Sequence, residues 1–269
     1  MRPFRNDRPP ATAALITGAT GGIGAALARA MPAETSLVIT GRNADELGRL
    51  EDELSSDREV RSIVADLSTE DGLAAVIEAG RAAGIDLLVN NAGLGRYGAF
   101  GETPFESHRE TIRVNVEAPL ALIHALLPDL LLNADLGGKR AGIINMSSST
   151  AFIPVPTLAT YAAAKAFILS FGESLAAELS GKPIDVLTAC PGATRTAFGA
   201  RAGFSGGSFP NAMAPETVAR QTLAALGRQT TVVIGPASAT AFTGVAIARS
   251  LFGQAFMHAS RAADRFRPS

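Results

Sequence analysis

Tyr161 and Lys165 stand four residues apart in the run YAAAK. On a helix such residues share a face, which puts an ammonium one turn from a phenol. A free phenol titrates near pH ~10, too high for easy exchange at neutrality, and a nearby positive charge lowers that value by favouring the phenolate. Reducing a carbonyl by hydride leaves an alkoxide that must receive a proton as it forms, so a phenol held at that oxygen is a suitable acid, and its phenolate a suitable base for the reverse step. The same spacing is common on ordinary helices, so it points to chemistry only if the chain also seats a hydride donor.

That seat is readable near the N-terminus. The apolar run Ala13 to Thr17 leads into Gly18-Ala19-Thr20-Gly21-Gly22-Ile23-Gly24 and then into a helical pattern. Glycines let the chain turn tightly and bring backbone N–H groups to a pyrophosphate at the positive end of a helix. The next apolar run ends at Thr40-Gly41-Arg42. An acidic residue at such a place holds the ribose 2′-hydroxyl of NAD, whereas an arginine accommodates the 2′-phosphate of NADP, so Arg42 argues for NADP(H). Asp45 and Glu46 fall at the start of the following helix, where the dipole favours negative charge, and compete only weakly as ribose ligands.

The elements that must position these groups follow from periodicity. Apolar runs at 13–17, 36–40, 60–65, 85–90, 141–146, 184–189 and 231–235 alternate with segments of helical spacing such as NADELGRLEDEL. Continuously apolar short runs are strands buried on both faces, and their alternation with helices is that of a parallel sheet covered on two sides. With right-handed crossovers and the glycine turn after the first strand, the expected fold is α/β: a Rossmann-like, doubly wound parallel sheet of about seven strands. Residues 1–11 read as a loose arm, residues 12–269 as one domain, and the Gly-rich stretch at about 197–214, with Phe198, Phe204, Phe209 and Met213, as a substrate lid.

With the turn in place, the chain resembles the short-chain dehydrogenase/reductase family in its single-domain form, over residues 12 to 235. The motifs occur in the family order: TGATGGIG at 17–24, ADL at 65–67, NNAG at 90–93, VNV at 114–116, NMSSS at 145–149, YAAAK at 161–165 and PGATRT at 191–196. The resemblance implies a catalytic set of Asn115, Ser148, Tyr161 and Lys165, with Ser148 selected from its serine run because the family serine lies thirteen residues before the tyrosine. It implies that Gly18, Thr20, Gly22, Ile23 and Gly24 line the pyrophosphate, that Asp66 and Leu67 lie against the adenine, and that Asn91, Ala92 and Gly93 follow the adenosine ribose. Pro191, Gly192, Thr194 and Thr196 would flank the nicotinamide, which Tyr161 and Lys165 also reach. Many NADP-using relatives carry a second basic residue inside the glycine turn; here that place is Gly21, so the 2′-phosphate would rest mainly on Arg42.

Composition narrows the alternatives. With 24 basic and 25 acidic residues the net charge is -1, so no global field draws the chain to nucleic acid or an anionic membrane. Cys190 is the single cysteine and sits in an apolar run, a buried strand residue in a chain that suits a cytoplasmic setting. His108, His124 and His258 show no metal-ligand spacing. The apolar stretch Ala237 to Met257 is interrupted by Arg249 and two glycines, which favours a docking helix or subunit contact over a membrane span. Helices near 105–132 and 161–180 are apolar on more than one face, which implies a homodimer or homotetramer. A nucleotide-sugar isomerase, epimerase or dehydratase would need a larger second region than the 73 residues after Thr196. A non-catalytic NADP-binding redox sensor would not need the catalytic set. The expected reaction is therefore hydride transfer between NADP(H) and a small, apolar carbonyl or alcohol substrate.

Overall fold

The computed structural model describes residues 11–204, 211–235, 242–244, 247–248 and 251. Six parallel pairings join β1 (Ala13–Thr17), β2 (Ser36–Gly41), β3 (Val60–Val64), β4 (Leu87–Asn90), β5 (Ala141–Met146), β6 (Ile184–Pro191) and β7 (Thr231–Ile234) into one seven-stranded sheet of order β3-β2-β1-β4-β5-β6-β7. This is the doubly wound arrangement expected from the sequence. Strand order reverses at β1, whose neighbours are β2 and β4, and a crevice opens there beyond the C-terminal strand ends.

Side chains alternate across a strand, and β1 shows why its run is apolar throughout. Ala14 and Ile16 join one core with Leu27 of α1 (Gly22–Ala30), Leu47 of α2 (Ala44–Leu54) and Val218 of α8 (Pro215–Ala225). Ala13 and Leu15 join the other, with Val76 of α3 (Glu70–Ala82), Leu126 of α5 (Ala118–Gly137) and Leu175 of α6 (Ala159–Glu178). Two of the seven runs depart from burial on both faces. β3 and β7 form the sheet edges, and Val64, the last residue of β3, is 57% exposed where no further strand flanks it.

Between β4 and β5 the chain forms α4 (Phe105–Ile112), a π-helical turn (Arg113–Glu117) and then α5. The stretch Phe105–Gly137 is long and apolar enough to cross a membrane by length and composition. Its row Leu122, Ile123, Leu126 and Leu130 packs under the sheet, while Phe105, Leu132 and Leu136 are exposed. Of the expected lid, α7 (Phe198–Arg201) and the flanking residues are described, and residues 205–210, including Phe209, lie outside the described residues. Most of the stretch 237–257 and His258 also lie outside them.

Candidate active site

The first turn is held by hydrogen bonds that begin on β1. Thr17 Oγ1 accepts the backbone N–H groups of Asn91 and Ala92, both at 3.0 Å, so the ends of β1 and β4 are locked together. The Asn91 side chain donates to the carbonyls of Thr17 at 2.9 Å and Gly18 at 3.1 Å. The resemblance set Asn91 along the ribose; in the structure its side-chain amide braces the glycine turn. Gly18 adopts φ +68°, and a Cβ there would stand 2.7 Å from Ala92 Cα, so only glycine lets the two segments touch.

The mouth of the turn is open. Among the described residues no side chain caps α1, which leaves its first N–H groups available to an anion. A Cβ on Gly21 would meet nothing within 4 Å. A cleft of about 570 Å³ runs past Thr20, Gly21 and Gly22 to Arg195 and Thr196. Thr196 reaches the turn closely enough that a Cβ on Gly22 would come within 2.8 Å of its methyl group. Behind it, Gly192 donates to the Ile234 carbonyl at 2.7 Å, Thr194 Oγ1 to the Gly192 carbonyl at 3.0 Å, and Arg195 N–H to the Met213 carbonyl at 2.8 Å. The segment after β6 is thus fastened beside the crevice, with Pro191 buried at the strand end.

Arg42 follows β2 and Asp66 follows β3 at the same sheet end, and Arg42 is engaged. Its Nη1 donates to Glu110 Oε1 of α4 at 2.9 Å and lies 3.8 Å from Asp66 Oδ2. Asp66 Oδ1 accepts from the Ser68 N–H at 2.8 Å and the Ser68 hydroxyl at 2.7 Å. Leu67 is buried in the core that holds Val76, so its side chain serves packing.

Across the crevice the four residues of the expected catalytic set converge. The Ser148 hydroxyl lies close enough to the Tyr161 phenol to favour its ionised form in part, and Ser148 Oγ accepts the Thr150 N–H at 3.2 Å, so this serine both caps a turn and faces the phenol. Lys165, buried one turn along α6, donates to the Met146 carbonyl at 3.0 Å, with Nζ 5.6 Å from the Tyr161 ring centroid. Ser147 secures the helix by donating to the Lys165 carbonyl at 2.7 Å. Asn115 lies in the π-helical turn and donates to the carbonyls of Leu94 at 2.7 Å and Thr111 at 2.8 Å. Its Oδ1 is buried with no hydrogen-bond partner among the described residues. A Cβ on Gly93 would be 2.9 Å from that oxygen and 3.2 Å from Lys165 Nζ, so the absent side chain is what lets amide and ammonium approach the same spot.

Charge at this site differs from the expectation. Burial pushes the Tyr161 phenol up to about 12, with the Ser148 hydrogen bond opposing it only in part. Burial also pulls Lys165 down to about 8. The ammonium lies beside the ring and points at a carbonyl, so desolvation, which penalises the charged form of each group, outweighs the attraction that was expected to lower the phenol. Cys190 is buried, and its thiol is pushed up to about 12 by desolvation, in keeping with an inert strand residue.

Two contacts had no sequence signal. Glu110 is one of two acidic residues on α4, with Glu106, and only the tertiary structure sets it against Arg42. Gly95 allows the Tyr161 and Phe198 rings to meet at 5.0 Å; a Cβ there would be 3.1 Å from each ring. Phe198 thereby joins the site from the expected lid, and the Tyr97 N–H donates to the Ala202 carbonyl at 2.8 Å, tying the loop after β4 to that lid. Among the described residues no cluster of three or more His, Cys, Asp or Glu could hold a metal ion.

A seven-stranded doubly wound sheet with a glycine turn after β1 and a Ser, Tyr and Lys grouping beside it defines a class, and comparison with known proteins agrees. The family model described as short chain dehydrogenase matches residues 12–203. Sulfoacetaldehyde reductase 2 of Chromohalobacter salexigens is 35% identical over 194 residues, covering 68% of this chain and 73% of the relative. A short-chain dehydrogenase from Sphingobium yanoikuyae in complex with NADPH is similar with TM-score 0.76 and 28% identity, over 96% of each chain. A 3-ketoacyl-(acyl-carrier-protein) reductase from Brucella melitensis complexed with NADH is similar with TM-score 0.71 and 26% identity, over 83% of this chain and 95% of that one. The chain belongs to the short-chain dehydrogenase/reductase family of oxidoreductases.

Proposed function

We propose that the protein is an NADP(H)-dependent oxidoreductase acting on a carbonyl or secondary alcohol, with Tyr161 as the acid or base. The observation that carries this reading is Tyr161 with Ser148 beside its phenol and Lys165 a helical turn behind it, at the sheet end that also holds the open glycine turn. The residues present fit a dinucleotide: uncapped N–H groups at α1 for a pyrophosphate, and Arg42 at the end of β2 for a 2′-phosphate. Gly18, Thr20, Gly22, Ile23 and Gly24 would hold the pyrophosphate, Asp66 and the 91–93 segment the adenosine half, and Gly192, Thr194 and Thr196 the nicotinamide half. Bound NADP(H) supplies the hydride.

The chain's own residues do the rest. Ser148 and Tyr161 hydroxyls bind the substrate oxygen, and Tyr161 gives its proton to that oxygen as the carbon is reduced. A phenol held up near 12 is protonated at neutral pH, which favours reduction. Lys165 gives a proton to the phenolate to replace the one lost, and is resupplied through water that the unpaired Oδ1 of Asn115 would hold as acceptor. Phe198 against Tyr161, and Phe204 against Tyr97 at 5.4 Å, support an apolar or medium-sized substrate. The chain works as one catalytic domain from residue 12, and exposed Phe105, Leu132, Leu136 and Phe167 support pairing of the α4, α5 and α6 faces between copies in a cytoplasmic homodimer or homotetramer.

The test is NADPH oxidation with a panel of aldehydes and ketones, repeated with Tyr161→Phe. Phenylalanine keeps the ring against Phe198 and removes the proton, so turnover falls about 100-fold to 10,000-fold while NADPH binding persists. Undiminished turnover refutes the role of Tyr161; no turnover by wild type with NADPH bound supports the redox-sensor alternative.

A further inference from the structure

Arg42 follows β2, Asp66 follows β3 and Glu110 lies on α4, which follows β4. The Arg42 and Glu110 ion pair joins the end of β2 to α4 beside Asp66, and the end of β2 is where the adenosine half of a dinucleotide would lie. Arginine's five N–H donors form a rigid fork that matches a phosphate with two parallel bonds. One arm of that fork is already given to Glu110 Oε1 at 2.9 Å, while Asp66 stands farther off at 3.8 Å with its other oxygen held by Ser68.

We propose that Glu110 sets how strongly this protein prefers the 2′-phosphorylated cofactor, by holding Arg42 in competition with the phosphate. The proposal rests on the NADP(H) reading of Arg42. A 2′-phosphate must draw the guanidinium away from Glu110 or share it, and must do so beside two carboxylates of its own sign. A 2′-hydroxyl carries no charge and makes no demand on the guanidinium, so the ion pair can stay intact. The penalty therefore falls on NADP(H) and not on NAD(H). Both side chains of the pair are partly exposed, Arg42 at 56% and Glu110 at 33%, so solvent screens the interaction and keeps the effect modest.

Isothermal titration calorimetry of the full chain with NADPH and with NADH tests this. Glu110→Gln removes the charge and keeps the shape: NADPH should bind about twofold to fivefold more tightly, with NADH unchanged. Glu110→Asp keeps the charge and should stay near wild type, and Glu110→Ala should behave as Glu110→Gln if the amide variant folds poorly. Unchanged or weaker NADPH binding in the neutral variants, or equal gains for both cofactors, overturns the proposal. Arg42→Ala separates this from failure of the underlying reading. If it weakens NADPH selectively while Glu110→Gln leaves the ratio unchanged, only the role of Glu110 falls; if wild type does not prefer NADPH and Arg42→Ala alters neither cofactor, the NADP(H) reading and the proposal fall together.

Discussion

Asn115→Ala separates the structural work of a site residue from its chemical work. The Asn115 side chain is 1% exposed and donates to two carbonyls, Leu94 at 2.7 Å and Thr111 at 2.8 Å. A buried carbonyl left without a partner costs about 1–3 kcal/mol, and since the Leu94 contact is only partly buried, the two together cost about 2–4 kcal/mol. An α-helical hydrogen bond cannot readily replace the one to Thr111. The helix here steps by five residues, with the Ala118 N–H donating to the Arg113 carbonyl, and closing that step would rotate α5, whose Leu122, Ile123, Leu126 and Leu130 are set under the sheet. At about 2–4 °C per kcal/mol for a chain of this size, the unfolding midpoint should fall by about 4–16 °C. Differential scanning calorimetry reads this directly. Turnover at a temperature where the variant is fully folded should fall as well, because Oδ1 beside Lys165 is also gone. A midpoint within about 1 °C of wild type refutes the claim that these two bonds hold the π-helical turn.

Other perturbations follow from the same geometry. Gly21→Arg enters open space at an extended backbone position, so it should leave the melting temperature nearly unchanged and tighten NADPH binding several-fold relative to NADH, by about the worth of one charge-assisted hydrogen bond; a loss of folding would show the turn to be closed. Gly18→Ala must hold φ +68° and place a Cβ 2.7 Å from Ala92 Cα, so thermal unfolding should show a loss of at least about 1–2 kcal/mol, and calorimetry a loss of NADPH affinity. Lys165, pulled down to about 8 by burial, loses its charge at lower pH than a free lysine, while Tyr161 stays protonated until about 12. NADPH-driven turnover should hence hold level below about 8 and decline above it as the ammonium deprotonates. A profile flat to about pH 10, the range of an unperturbed lysine, would contradict this.

The legible part of this molecule was whatever repeats with a short period or depends on backbone alone. Seven apolar runs marked seven strands, because a strand covered on both faces must be apolar at every position. Even there, β3 and β7 read like the others, since nothing local to Val64 or Val232 says that the sheet ends beside them. The YAAAK spacing placed Tyr161 and Lys165 on one helical face without reference to the rest of the fold. Asn91 and Leu67 were harder. A short motif names the residue, but whether its side chain turns to the crevice, to the glycine turn or to the core depends on the strands beside it.

From the sequence alone came the doubly wound sheet, the glycine turn with its helix, and the shared face of Tyr161 and Lys165, because these depend on sterics, periodicity and spacing within a few turns of chain; Asn115 and Ser148 came from the family resemblance. Tertiary structure alone decided the electrostatics. Glu110 meets Arg42 across 68 residues, and burial drives Tyr161 up and Lys165 down against the attraction their spacing suggests. Charge interactions and desolvation are set by distance and dielectric in three dimensions, and neither quantity is written in the order of residues along the chain.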